Sequence, residues 1–270
     1  MNKMIKYIQV SFLLALTITF FSCEKVVELD LDDAQQMIVV EGIVHDSLGD
    51  NFVLLSKSKS FNDNQGQFEK ISGASVIISD NAGNNFTLSE VEPGRYQNTL
   101  LEGVSGRKYF LNVTVDGKIF TSESILSTKI ELDSLSYEEV NNPFGGDEGD
   151  ILQYRVFTHF RDPENIENFY RLKVFNGEKQ EKGFLSLDNN FIDGDDVDFP
   201  IFISEFEEGD TATVQLLSVD EINYRYFNAI ESSQNGEVPG NPESNVVGEN
   251  VVGYFGAYAK SQKSIIITPL

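Results

Sequence analysis

The chain has 270 residues, with 43 Asp and Glu against 20 Lys and Arg, for a net charge of −23. Its 40% hydrophobic content and its length suit a globular protein with a packed core. So acidic a surface excludes nucleic acid and anionic lipid headgroups as partners held by charge, and a single cysteine excludes any disulfide within the chain.

In chain order, Lys3 and Lys6 precede an apolar run from Ile8 to Phe21, and Ser22 follows. A basic n-region, an apolar h-region and a small residue at the cut site make residues 1–22 a secretory signal peptide. The apolar run is shorter than the ~20 residues a bilayer-spanning helix needs. Cys23 comes next, and it resembles the lipid-attachment cysteine of a bacterial lipoprotein. The string FFSC departs from the commoner Leu-Ala-Gly-Cys box but resembles the looser form of Bacteroidota. Cleavage removes two lysines and no carboxylate, so the processed chain carries −25. A covalent lipid on Cys23 is then the expected sole membrane attachment, with more than one acyl chain needed for stable anchoring. Residues 23–36 read as an acidic tether. Glu24, Lys25, Glu28, Asp30, Asp32 and Asp33 resemble the charged signals that route such lipoproteins to the cell surface, so a lipid-anchored place on the outer membrane is expected, with periplasmic and cell-surface orientations both open.

Residues 37–128 read as consecutive strands. Met37–His45 and Asn51–Lys57 are apolar runs, and Ala74, Val76 and Ile78 alternate in Gly73–Ser79. Asp80, Asn81, Gly83 and Asn84 form a turn. Tyr109, Leu111, Val113 and Val115 alternate in Lys108–Val115, and Asp116-Gly117 marks a hairpin into Lys118–Ile125. Short strands at this spacing predict a β-sandwich of immunoglobulin or transthyretin type; with no Trp and no cysteine pair it is not an antibody-type domain.

Residues 129–270 read as a second, β-rich domain. Strands are expected at Ile130–Tyr137, Ile151–Phe160, Asn168–Phe175, Phe199–Phe206, Thr211–Val219 and Ile265–Thr268, with a polar loop at Asn141–Asp150. One helix follows Asp220, which can cap it, with Ile222, Tyr226, Ala229 and Ile230 on one face. The fold class is therefore mostly β, an N-terminal sandwich plus a C-terminal β-rich domain with one helix.

The strings MIVVEGIVHDSLG, SGASVIISDNAGN with LSEVEPGRYQN, GRKYFLNVTVDGKIFTSES and NVVGENVVGYFGAYA, in this order, resemble the domain-of-unknown-function family 4249, outer-membrane lipoproteins of Bacteroidota. The resemblance spans essentially all of the processed chain. Such proteins tend to be encoded beside TonB-dependent outer-membrane transporters, which implies a non-enzymatic accessory that helps capture or gate a nutrient. The alternative is a stand-alone surface lipoprotein or adhesin binding glycan or protein. The family carries no established catalytic residues, so none transfers.

Candidate chemistry is sparse. His45 and His159 are the only histidines, too few for a zinc site without cysteines. No Gly-x-Ser-x-Gly elbow and no phosphate loop is present. The acidic stretch Asp188–Asp198 offers oxygens for calcium, with Asp188, Asp193 and Asp195 as candidate ligands, but its register is wrong for an EF-hand. The other reading is a solvated acidic loop. No other cofactor is expected beyond the lipid on Cys23. Tyr224 and Phe227, with Tyr254, Phe255 and Tyr258, are the candidate partner-facing patch, against core packing. Asp46-Ser47-Leu48, Asp133-Ser134-Leu135 and Asp210-Thr211-Ala212 resemble the Bacteroidota O-glycosylation signal.

Overall fold

Alternation of apolar and polar side chains commits this chain to half-buried strands. In the computed structural model, the described residues are 36–59, 68–140, 153–183, 185–234 and 242–270. The expected signal peptide, Cys23, nearly all of the tether and the loop Asn141–Asp150 lie outside them. Among the described residues the protein is mostly β, with one helix. The first strands are β1 (Ile38–His45), β2 (Phe52–Lys57), β3 (Ser75–Asp80), β4 (Asn85–Glu92), β5 (Arg95–Gln97), β6 (Lys108–Val115) and β7 (Lys118–Ile125). In β6, Tyr109, Leu111, Val113 and Val115 are buried while Phe110 and Asn112 face outward. Asp116 and Gly117 take φ of 48° and 78° and set Val115 opposite Lys118, the two-residue hairpin that Asp-Gly predicts.

The later strands are β8 (Leu132–Glu139), β9 (Tyr154–Arg161), β10 (Phe169–Asn176), β11 (Lys179–Gln180), β12 (Leu185–Asp188), β13 (Asp196–Pro200), β14 (Thr211–Val219) and β15 (Val251–Ile266), with helix α1 (Glu221–Gln234) between the last two. One long sheet runs β11-β10-β14-β15-β1-β2-β5-β4-β3-β6-β7, with β12 also on β10; a small sheet runs β13-β9-β8. The expected strand Phe199–Phe206 is corrected: β13 is Asp196–Pro200, and beyond it the backbone meets β9 only through the Ile201 amide on the Val156 carbonyl and an isolated bridge of Phe206 to Tyr154. The expected terminal strand Ile265–Thr268 is the far end of the 16-residue β15.

β15 is the hinge of the topology. Its first half, Val251–Tyr258, runs parallel to β1; its second half, from Ala259, runs antiparallel to β14. One core gathers Val40, Val53, Val76, Leu111, Phe120 and Leu126. It also takes Val246, Val251, Phe255, Ala257 and Ala259 from the far end of the chain. The second, with Tyr154, Phe160, Tyr170, Leu172, Val214 and Ile267, lies between β10, β14 and the small sheet. Leu126 belongs to the first core and Ile130 to the second, but one sheet runs through both and Gln35–Leu270 form one unit. A third, smaller cluster of Ile43, Leu217, Val219, Phe227 and Tyr258 forms where α1 covers the opposite face of β1, β14 and β15.

Asp220 caps α1 as predicted, its Oδ1 accepting from the Asn223 amide at 2.9 Å. The expected apolar face is corrected in part: Tyr226 and Ile230 pack against the third cluster, but Ile222 is 50% exposed, and the helix also buries Asn223 and Phe227. The Asn223 side chain donates to the Phe255 carbonyl at 3.1 Å and accepts from Tyr258 at 3.2 Å.

The β1–β15 pairing requires a residue without a side chain at 253. Gly253 has φ +126°, and a Cβ there would lie 1.9 Å from the Val40 carbonyl oxygen. Gly253→Ala is expected to cost more than about 3 kcal/mol in urea unfolding. Gly117→Ala, also at positive φ but with open space around it, is expected to cost about 1 kcal/mol. Equal midpoints for the two variants would refute a special role for the β1–β15 contact.

Candidate functional site

The candidate patch of five aromatics does not form a surface. Phe227, Phe255 and Tyr258 are buried, at 2%, 0% and 0% exposure, and only Tyr224 and Tyr254 are half-buried. Strand parity is the reason: Tyr254 and Tyr258 point to the face that α1 covers, while Phe255 points into the first core. Under the helix Phe227 meets Tyr254 edge-on at 4.9 Å, and Tyr226 lies 5.2 Å from Tyr254. Arg171 of β10, which sequence reading passed over, is buried with its guanidinium 3.5 Å from the Phe227 ring centre, a cation–π contact strengthened by exclusion of water.

Next to this layer the register aligns Arg171, Leu217 and Lys260 across β10, β14 and β15, and places His45 opposite Tyr258. Lys260 pairs with Asp50 at 2.5 Å. His45 is buried and its Nδ1 has no hydrogen-bond partner. Burial, followed by Lys173 and Lys260, pushes its pKa down to about 4. Burial together with Arg171 and Lys260 lowers Lys173 to about 8. His45 is therefore a neutral core histidine at pH 7.

His159 occupies a different setting, on the outer face of the small sheet. Asp198 of β13 lies opposite it, with Oδ1 2.5 Å from Nδ1, and Ser136 of β8 places its Oγ 2.7 Å from Nε2. The sequence separates these three residues and no local motif marks them; cross-strand register alone assembles the row. Triad catalysis needs a shielded orienting carboxylate and donors aimed at a developing oxyanion. The Asp198 side chain is 76% exposed, and β9 is laddered on both sides.

The calcium candidates are drawn apart. Asp188 accepts from the Asn190 amide at 3.1 Å and from Tyr224 at 3.1 Å, and burial with this carboxylate raises the Tyr224 phenol to about 12. Asp193 accepts from the Asn165 amide at 2.8 Å. The Asp195 backbone carbonyl accepts from the Asp162 amide at 3.0 Å. Among the described residues no three His, Cys, Asp or Glu converge as a metal site. The loop is organised instead around Asp162, 0% exposed. Its carboxylate accepts from Tyr170 Oη, from Asn168 at 3.3 Å, from Asn189 at 3.1 Å and from the Gly194 amide at 3.3 Å. Of the glycosylation matches, the Ser47 hydroxyl is buried, Thr211 is half-buried in β14 and Ser134 is exposed.

The neutral state of His45 has a thermodynamic signature. Unfolded histidine titrates near 6.5, whereas folded His45 stays unprotonated down to about 4. Between those values the unfolded chain binds the additional proton, so stability falls as the pH drops through this window, by about 3 kcal/mol for this group. Urea melts at pH 7, 5.5 and 4.5 should show that loss, and His45→Gln should flatten it. An unchanged slope in the variant would assign the acid sensitivity elsewhere.

No curated protein matches the chain. The model of the family described as a domain of unknown function, DUF4249, matches residues 24–264, from the residue directly behind Cys23 into β15, so the chain belongs to that family.

Proposed function

We propose that this is a lipid-anchored outer-membrane protein, held by acyl chains on Cys23, that acts without catalysis as an accessory to a TonB-dependent transporter in nutrient capture or gating. One observation carries the reading: the family region starts at Glu24, immediately behind the only cysteine and the signal-peptide pattern. A leader removed at Ser22–Cys23 leaves the whole family region attached to the lipid. The acidic surface gives the protein no electrostatic hold on anionic lipid, which leaves attachment to the acyl chains. No helix among the described residues is long and apolar enough to cross a membrane. A stand-alone binding lipoprotein shares every one of these features, and only a partner separates the two.

Cys23→Ser is expected to leave the precursor uncleaved or to release the protein into the soluble fraction. Processed, membrane-bound Cys23→Ser would refute the anchor. Co-purification from detergent-solubilised outer membrane is expected to recover a TonB-dependent transporter with the wild type. Its consistent absence alongside specific ligand binding favours the stand-alone reading.

A hydrolase reading has one observation in its favour, the Ser136–His159–Asp198 row. A non-enzymatic protein should not be labelled at Ser136 by a fluorophosphonate probe. Labelling that Ser136→Ala abolishes would replace the accessory reading with acyl transfer.

A further inference from the structure

The most exposed large apolar side chain among the described residues is Phe191, at 94%. It sits on the loop Asp188–Asp195. A neighbouring loop, Asp162–Asn168, carries Ile166, 56% exposed. Scattered single exposed hydrophobics are normal on proteins, but these two are held on a fixed support. Buried Asn189 donates to the Ile166 carbonyl at 2.6 Å, the Asn168 amide donates to Asn189 at 3.2 Å, and buried Asp162 binds both loops. These bonds hold the loop backbone beside both side chains, so less chain entropy is lost when a partner binds there.

The surroundings specify the chemistry of what binds. Between the loops lies a hollow of about 290 Å³ lined by Asn165, Ile166, Glu167, Asn189, Asn190 and Asp193. Glu164, Glu167, Asp193 and Asp195 are exposed on the two loops, Glu167 and Asp193 line the hollow, and neither loop contains a Lys or Arg. Exposed apolar side chains on loops whose only charges are carboxylates are complementary to apolar side chains flanked by cations. Such a surface repels an anionic bilayer, so the occupant is protein rather than lipid. An Arg entering the hollow would meet the carboxylate and amide oxygens of Glu167, Asp193, Asn165, Asn189 and Asn190.

We propose that the paired loops Asp162–Asn168 and Asp188–Asp195 are a docking site for a cationic protein segment, with Phe191 and Ile166 receiving its apolar side chains and Glu167 and Asp193 its Lys or Arg. This deepens the accessory reading and rests on it only for the existence of a partner.

The test replaces Phe191 with a photo-crosslinking phenylalanine in the full-length, membrane-attached protein, with Leu100, 79% exposed, as the control position. Irradiation of intact cells should give one dominant protein adduct from 191 and not from 100. The crosslinked partner peptide should carry Lys or Arg beside apolar residues. The pair of substitutions Glu167→Lys and Asp195→Lys should cut the adduct at least tenfold. Phe191→Ala should leave the melting temperature unchanged, which separates lost docking from lost folding. The same ladder from both positions, a lipid adduct, or an adduct indifferent to charge reversal would overturn the site. An adduct with a protein other than a transporter, meeting both chemical criteria, upholds the site and refutes the transporter reading. Transporter co-purification without any adduct from 191 leaves the transporter reading standing and removes the site.

Discussion

Hydrogen bonding of one strand to two unrelated neighbours holds this fold together. β15 lies parallel to β1 for its first eight residues and antiparallel to β14 thereafter. A parallel pair needs a long crossover, and here most of the chain lies between β1 and β15. The first core therefore cannot close until the last strand arrives. Two glycines make the approach possible. Gly253 lets the backbone pass the Val40 carbonyl, and a Cβ at Gly256 would lie 2.1 Å from the Tyr258 hydroxyl oxygen. Contacts of such high sequence separation slow folding, because loop entropy is lost before the contact forms.

The change of partner leaves β15 with a bare edge opposite β1, and buried backbone groups must find partners there. Side chains supply them. The Asn245 amide accepts from the Phe255 N–H at 2.9 Å and donates to the Phe255 carbonyl at 2.7 Å, imitating a neighbouring strand. The Ser124 hydroxyl accepts from the Ala257 amide at 2.8 Å and donates to Asp220 at 2.6 Å. Asp220 thereby does two jobs: one oxygen caps α1, and the other accepts from Ser124 and from the Ile125 amide of β7. Thr121 of β7 exchanges both backbone bonds with Val247. The outer edge of β7 is thus occupied at Thr121 and Ile125, which blunts it as a template for pairing with another chain.

What could be read in the sequence was local. Asp116-Gly117 specified its hairpin because positive φ at two successive positions is a property of those residues. Asp220 specified the start of α1 because a cap bonds only three residues ahead. Features set by register could not be read in this way. The five-aromatic patch assumed that Tyr254 and Phe255 share a face, which strand parity forbids. The Ser136–His159–Asp198 row joins three strands, and Asp162 gathers donors from two loops and β10. In each case the residue types are ordinary, and the information lies in which strands are neighbours. Arg171 was missed for a related reason: a cation in a strand reads as exposed until a helix aromatic is known to cover it.

The distribution of charge ties these features to function. Few cations balance this acidic chain, and among them Arg171 is buried under Phe227 while Lys173 and Lys260 are half-buried beside His45. Withdrawing positive charge from the surface makes the exterior more uniformly acidic than composition alone implies. A body of that kind is pushed away from an anionic membrane surface at ranges up to about 10 Å, the screening length at moderate salt. If Cys23 carries the proposed lipid, the tether and the acidic exterior act in opposition, and the proposed docking loops around Asp162 are the part left to meet a protein neighbour. Any such neighbour that binds by charge must be cationic where it touches, which narrows the search for partners more than the fold does.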